Sequence, residues 1–196
     1  MEMDARPVTL IGKIIRLEPL SLLHVPELFT ASDPSIWKYM LYGDIESEID
    51  VENWVRDMLQ RAESGSDLPF AVIYLATGKA IGATRYLEIR PQHKGLEIGG
   101  TWYGLAYQRT GVNTECKYLL LKHAFETLGC VRVQFKSDSR NEKSIAAIKR
   151  IGAKPEGILR NHMILSDGTL RHSAYFSILD REWSEVKKRL EEKLGL

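Results

Sequence analysis

The chain has 196 residues, and 27 Lys plus Arg stand against 26 Asp plus Glu for a formal net charge of +1. That length suits one domain able to bury about 70% of its extended surface without staples. The balanced charge argues against a protein that coats nucleic acid, and 44% hydrophobic with 27% charged residues excludes a disordered or fibrous chain.

Residues 8–17 are β-branched and apolar up to Pro19 and predict a first strand, with a short helix after Ser21 carrying Leu23, Leu28 and Phe29. From Ser47 the apolar residues Ile49, Trp54, Val55, Met58, Leu59 and Ala62 recur at helical steps; Ser47 with Asp50 resembles a capping box and Gly65 gives a stop. Residues 69–75 and 80–89 read as a hairpin turning at Thr77-Gly78-Lys79, and 96–103 as the next strand. After an irregular stretch, 104–110, an amphipathic helix runs through Val112, Cys116, Leu119, Leu120, Phe125 and Leu128 to Gly129. Residues 131–135 form a period-2 strand. Ser139 with Glu142 then reads as a second capping box, opening a helix of Ile145, Ile148 and Ile151 that stops at Gly152. Two strands, 157–165 and 170–179, turn at Ser166-Asp167-Gly168-Thr169, and a last helix starts at Asp180 and carries Trp183, Val186, Leu190 and Leu194. This order predicts an α/β (α+β) domain over 1–196, a mixed sheet with helices on both faces.

Cys116 and Cys130 form no CxxC pair and no metal spacing, so they read as reduced packing residues of a cytoplasmic protein, with no metal. No run approaches 18 apolar residues, and Met1–Arg6 is polar and acidic with no apolar leader core behind it.

The most informative stretch is Gln108-Arg109-Thr110-Gly111-Val112-Asn113-Thr114, between a strand and a long helix. Unpaired amides at a helix start attract phosphate, and Gly111 permits close approach. The same glycine is equally consistent with a plain strand-to-helix turn. Neither G-x-x-x-x-G-K-[ST] nor a G-x-G-x-x-G after a strand is present.

Gln108-x-x-Gly111-x-Asn113 resembles the Q/R-x-x-G-x-G/A pyrophosphate loop of the GNAT (Gcn5-related) N-acetyltransferase superfamily, with Asn113 in place of the last Gly or Ala. Asn141-x-x-Ser144 followed by Gly152 resembles the family's next helix. Glu156-Gly157-Ile-Leu-Arg160, Asp167-Gly168 and Asp180-Arg-Glu-Trp183 look like the RimJ/RimL-type branch. The resemblance covers roughly residues 8–185. It implies a mostly antiparallel sheet of about seven strands, splayed between the fourth and fifth. It also implies acetyl-CoA as co-substrate and a primary amine as acceptor: a peptide amino terminus or a small amine. Thr101, Trp102 and Tyr103 would line the pantetheine arm, Arg109–Thr114 would hold the diphosphate, and Asn141 would contact the arm or simply cap its helix.

Strand alternation puts Glu97, Gly99, Thr101 and Tyr103 on one face, turned to the acceptor. Glu97 is then the candidate base, or a structural carboxylate within the sheet. Many members of the family use a Tyr as acid where this chain has Ile148; Ser144 is the candidate that assists the departing thiolate, or it satisfies a helix carbonyl. His162 and His172 read as surface or packing histidines. Trp37, Tyr39 and Tyr42 read as core or as the roof of the acceptor pocket, and the Trp183–Leu194 stripe as sheet packing or a dimer contact. The alternative to an enzyme is a non-catalytic acyl-CoA-binding or protein-interaction module on the same fold.

Overall fold

A computed structural model describes residues 3–196; the reading of Met1 and Glu2 as part of a polar start lies outside the described residues. In chain order the elements are β1 (Leu10–Ile11), β2 (Ile15–Pro19), α1 (Val25–Ala31), α2 (Pro34–Trp37), α3 (Glu48–Glu63), β3 (Leu68–Tyr74), β4 (Lys79–Arg90) and β5 (Gly95–Tyr103). They continue with α4 (Gly111–Lys122), β6 (Arg132–Asp138), α5 (Glu142–Arg150), β7 (Lys154–Ile164), β8 (Leu170–Leu179) and α6 (Asp180–Leu194). The strands make one eight-stranded sheet in the order β1-β2-β3-β4-β5-β6-β8-β7. Every pairing is antiparallel except β5 with β6.

The expected first strand is two strands. Glu115, on α4 and 2% exposed, accepts hydrogen bonds from the backbone amides of Lys13, Ile14 and Ile15, each at 2.8 Å. This carboxylate turns the chain between β1 and β2, and a Cβ at Gly12 would lie 2.4 Å from it. The extra strand is why the splay expected between strands four and five lies between β5 and β6.

Two apolar clusters flank the sheet. On one side α4, a π turn at His123–Thr127 and α6 cover Phe70, Tyr86, Leu96, Ile98, Val133, Phe135, Phe176 and Ile178. The Trp183–Leu194 stripe is used within this cluster, with Trp183 stacked on Phe125 at 5.4 Å. On the other side α1, α2 and α3 cover only the β3–β5 half, through Val55, Met58 and the mutually packed rings of Trp37, Trp54 and Trp102. Beyond them, the residues that alternate with the core side chains of β6 and β8 form a polar floor: Gln134, Lys136 and Asp138 on β6, Arg171, Ser173, Tyr175 and Ser177 on β8.

Ser47 and Asp50 do form a capping box, and Gly65 ends that helix at φ +75°. The second box does not form. Asp138 Oδ1 accepts from the Arg140 amide at 2.9 Å and Ser139 N–H donates to His172 O, so the strand-to-helix turn closes before the helix begins. Asn141 caps α5 instead, its Oδ1 accepting from Ser144 N–H at 3.1 Å. Among the described residues no helix is long and apolar enough to cross a membrane.

Candidate active site

β5 and β6 run parallel but share only three register positions, ending at Glu97 with Gln134. Beyond that rung β5 continues to Tyr103 and β6 to Asp138 without pairing to each other, so the sheet opens. The other edge of β5 stays on β4, and there the register slips between Arg85–Gly99 and Ala83–Trp102. The slip is a bulge at Gly100, whose φ of +56° suits glycine.

The bulge corrects the single-face expectation. Glu97, Gly99 and Trp102 face the α3 side, whereas Thr101 and Tyr103 face α4. Thr101 Oγ1 lies 2.8 Å from Thr84 Oγ1 and accepts from Lys117 Nζ at 2.5 Å; Tyr103 OH donates to Asn113 Oδ1 at 3.2 Å. Lys117 was not legible as a special residue. It sits on α4 at 6% exposure, and burial pushes its ammonium down to about 8.

The loop after β5 descends through a 3-10 turn at Leu105–Tyr107. Gln108 is extended, and its side-chain amide donates to Tyr103 O at 3.1 Å, bracing the loop on the strand. Arg109 takes a left-handed conformation, φ +60°. Thr110 caps α4: its hydroxyl donates to Tyr107 O at 2.7 Å and accepts from Val112 N–H at 3.3 Å. Residues 108–111 are exposed, and the amides of Arg109, Thr110 and Gly111 make no hydrogen bond to a group among the described residues. Val112 and Thr114 are buried and fix the first turn of α4 to the core. A Cβ at Gly111 would approach Ile14 Cδ1 to 2.9 Å. The result is a fixed row of outward amides at the positive end of a twelve-residue helix, a geometry suited to a diphosphate.

At the head of the opening, Glu97 is 2% exposed. Gln134 Nε2 donates to its Oε2 at 2.8 Å, and Lys136 Nζ stands 3.5 Å from Oε1. Lys136 lies 5.9 Å above the Tyr175 ring, and the Tyr175 hydroxyl lies 3.5 Å from His162 Nε2. His162 is exposed, with Nδ1 3.0 Å from Ser173 Oγ; His172 Nδ1 accepts from Asn161 N–H at 2.8 Å. Glu97 thus presents a carboxylate positioned by one neutral donor and one cation, the residue type and placement that general-base work needs.

Across the opening, Asn141 and Ser144 begin α5 directly after β6. The Asn141 carbonyl oxygen of the amide group is spent on the cap, which leaves its NH2 group without a partner among the described residues. Ser144 is half-buried on the first turn, and Ile148, one turn on, is buried at 8%. Trp37 and Tyr42 stand over the β4–β5 half, with Tyr42 5.8 Å from the Arg85 guanidinium; Tyr39 is partly exposed.

Residues 15–154 match the family model described as an acetyltransferase (GNAT) domain. In keeping with the RimJ/RimL-type resemblance, the chain is similar to the Bacillus subtilis (strain 168) protein named "Putative ribosomal N-acetyltransferase YdaF", 26% identical over 173 residues that span 87% of this chain and 92% of that one. Its fold superposes on a GCN5-related N-acetyltransferase from Brucella melitensis with a TM-score of 0.90 and 30% identity, covering 96% of this chain and 86% of that one. The microcin C7 self-immunity acetyltransferase MccE, solved in complex with acetyl-CoA and AMP, shares the fold at a TM-score of 0.76 and 22% identity, over 86% of this chain and 93% of that one. With the match spanning residues 15–154 and the sheet open between β5 and β6, the chain belongs to the GNAT acetyltransferase family, enzymes that move an acetyl group from acetyl-CoA to an amine.

Proposed function

We propose that the acceptor is a protein amino terminus or a small primary amine, acetylated by direct attack in a ternary complex on one domain spanning the chain. The observation that carries this reading is the buried Glu97 carboxylate on the last paired rung of β5 and β6, with the sheet opening immediately beyond it. Acetyl-CoA supplies an activated acyl thioester when bound. The chain's own residues do the rest. The outward amides of Arg109, Thr110 and Gly111 hold the diphosphate at the helix N-terminus, on a first turn that Val112, Asn113 and Thr114 fix in place. Gln108 holds that loop on β5. The free edge of Thr101, Trp102 and Tyr103 takes the pantetheine arm as an added strand, and the Asn141 amide meets it from α5.

Glu97 accepts the proton that the acceptor ammonium must lose before its nitrogen can attack, while Gln134 and Lys136 fix the carboxylate. The Ser144 hydroxyl donates a hydrogen bond at the sulfur. Positioning of the two reactants in one opening supplies the remainder of the acceleration. Buried, unpaired Cys116 and Cys130 suit a reducing compartment, so the cytoplasm is the proposed location.

The test is release of free coenzyme A thiol from acetyl-CoA with a panel of amino-terminal peptides and small amines. Release that depends on an amine is the expected result. Ile148 in place of a tyrosine, and Asn113 in the loop, favour the second reading, a binding module; coenzyme A binding with no release on any acceptor would establish it.

A further inference from the structure

Among the buried side chains of the polar floor, one charge has no counterpart. Arg171 on β8 is 6% exposed, and its Nε has no hydrogen-bond partner. Its two terminal nitrogens make no hydrogen bond or ion pair among the described residues either, though unlike Nε they keep some contact with solvent. The other nine-tenths-buried arginine, Arg85, does have an ion pair, with Asp67 at 2.9 Å. Asp138 could have served Arg171, but Arg140 holds it on both oxygens, at 3.0 Å from Nε to Oδ1 and 2.7 Å from Nη2 to Oδ2. The attraction of Asp138 and Glu97 acts on Arg171 only at longer range, and burial outweighs it, lowering its affinity for its proton.

Position gives this charge a use. Arg171 alternates with the core residues Ala174, Phe176 and Ile178, which puts it on the Glu97 face of the sheet. Two residues before Ser173, which pairs with Asp138, it lies past the end of β6, at the end where β5 and β6 diverge and where Asn141 and Ser144 open α5. A largely buried guanidinium without an anion is costly, and apolar replacements of buried charges are often more stable, so a fold gains from it chiefly when an anion arrives at its terminal nitrogens. Arg offers a planar fork of donors matched to a carboxylate or a phosphoryl group.

We infer that Arg171 is a specificity-determining residue: the acceptor amine carries an anionic group, carboxylate or phosphoryl, which Arg171 receives while the amine approaches Glu97. This rests on the proposed reading of the opening as the acceptor site and adds the substrate class to it.

Two measurements test it, and the first does not need turnover. The melting temperature of the whole chain is followed against inorganic phosphate and against N-acetylglycine at constant ionic strength, for the wild type, Arg171→Met and Arg171→Lys. The wild type is expected to gain several degrees more from at least one anion than the Met variant, whose remaining gain from phosphate reports the amide row at the start of α4, with the Lys variant between the two. The Met variant without anion is expected to melt at or above the wild type, because it relieves a buried unpaired charge. No anion effect on the wild type, or an equal effect on the Met variant, overturns the inference.

In the second measurement, thiol release is compared for acceptors matched as acid and neutral form. The pairs are γ-aminobutyrate with its amide, the dipeptides Ala-Glu with Ala-Gln, and phosphoethanolamine with ethanolamine. The wild type is expected to prefer one acid form by tenfold or more in kcat/KM, with the Met variant losing that preference and keeping its KM for acetyl-CoA. The pair that shows the preference distinguishes carboxylate from phosphoryl. Equal rates for acid and neutral forms overturn the inference. Absence of release with every acceptor counts against acetyl transfer itself, and Arg171 is then judged by the melting series.

Discussion

At the scale of single residues, the account turns on Glu97 and Lys117, two buried ionisable groups, the first on β5 and the second on α4, where it reaches Thr101 on the other face of that strand. Replacing Glu97 with Gln keeps the volume and the Gln134 contact but removes the proton acceptor. The expected result is a loss of about 10²–10⁴-fold in kcat/KM with coenzyme A affinity unchanged, read from steady-state kinetics beside calorimetric titration. Lys117 makes a stability prediction with a definite sign. Its folded value of about 8 lies below the ordinary 10.5, so between those values the unfolded chain binds more protons than the folded one. Stability from this group therefore rises with pH from about 8 toward 10.5 and is lowest at neutral pH. Lys117→Met should be more stable than the wild type at pH 7 by roughly 1–3 kcal/mol, with the difference shrinking by pH 10, as denaturant titrations at both pH values would show. A variant less stable at pH 7 would mean that the Thr101 hydrogen bond outweighs the burial of the charge.

Secondary elements were legible in the sequence wherever the signal was local. The helix at Ser47, its stop at Gly65, the hairpin at Thr77-Gly78-Lys79 and the loop 108–114 each depend on residues within a few positions of one another. What escaped depends on distant partners. A run of apolar residues from 8 to 17 reads as one strand because nothing near it shows that Glu115, a hundred residues away, will take three of its amides. Gly99-Gly100 reads as ordinary alternation, yet one extra residue at the bulge turned Thr101 and Tyr103 to the other face of the sheet. Ser139 lost its cap to Asn141 because the neighbouring strand and Asp138 claimed the turn first. Glu115→Ala should therefore cost more than an average helix substitution, roughly 2–4 kcal/mol, since it takes the acceptor from three amides at once, that of Ile15 buried and those of Lys13 and Ile14 partly so. Thermal melting checks this; a loss under 1 kcal/mol would mean that water replaces the carboxylate at the β1–β2 turn.

For the whole molecule, the division of labour follows from how unevenly the two faces are covered. The α4 side is closed by apolar packing across the sheet, which fixes the phosphate-binding turn against the core. The opposite side is roofed only over β3–β5, leaving the polar floor of β6 and β8 beside an opening in the sheet. The family's order of elements and its loop motif were readable in advance. The charges on that floor, Arg171 above all, were not, because alternation places them without saying which will lack partners.

The central claim is that the amides following Tyr107 hold a diphosphate and that the gap between β5 and β6 takes the arm attached to it. A crystal structure of the chain with coenzyme A, paired with a titration of Gly111→Trp, tests both halves directly. The account predicts phosphate oxygens at about 2.7–3.2 Å from the amides of Arg109, Thr110 and Gly111, the arm running along Thr101–Tyr103, and no measurable affinity in a Trp variant that still folds. Coenzyme A seated elsewhere, or full affinity in that variant, would contradict it.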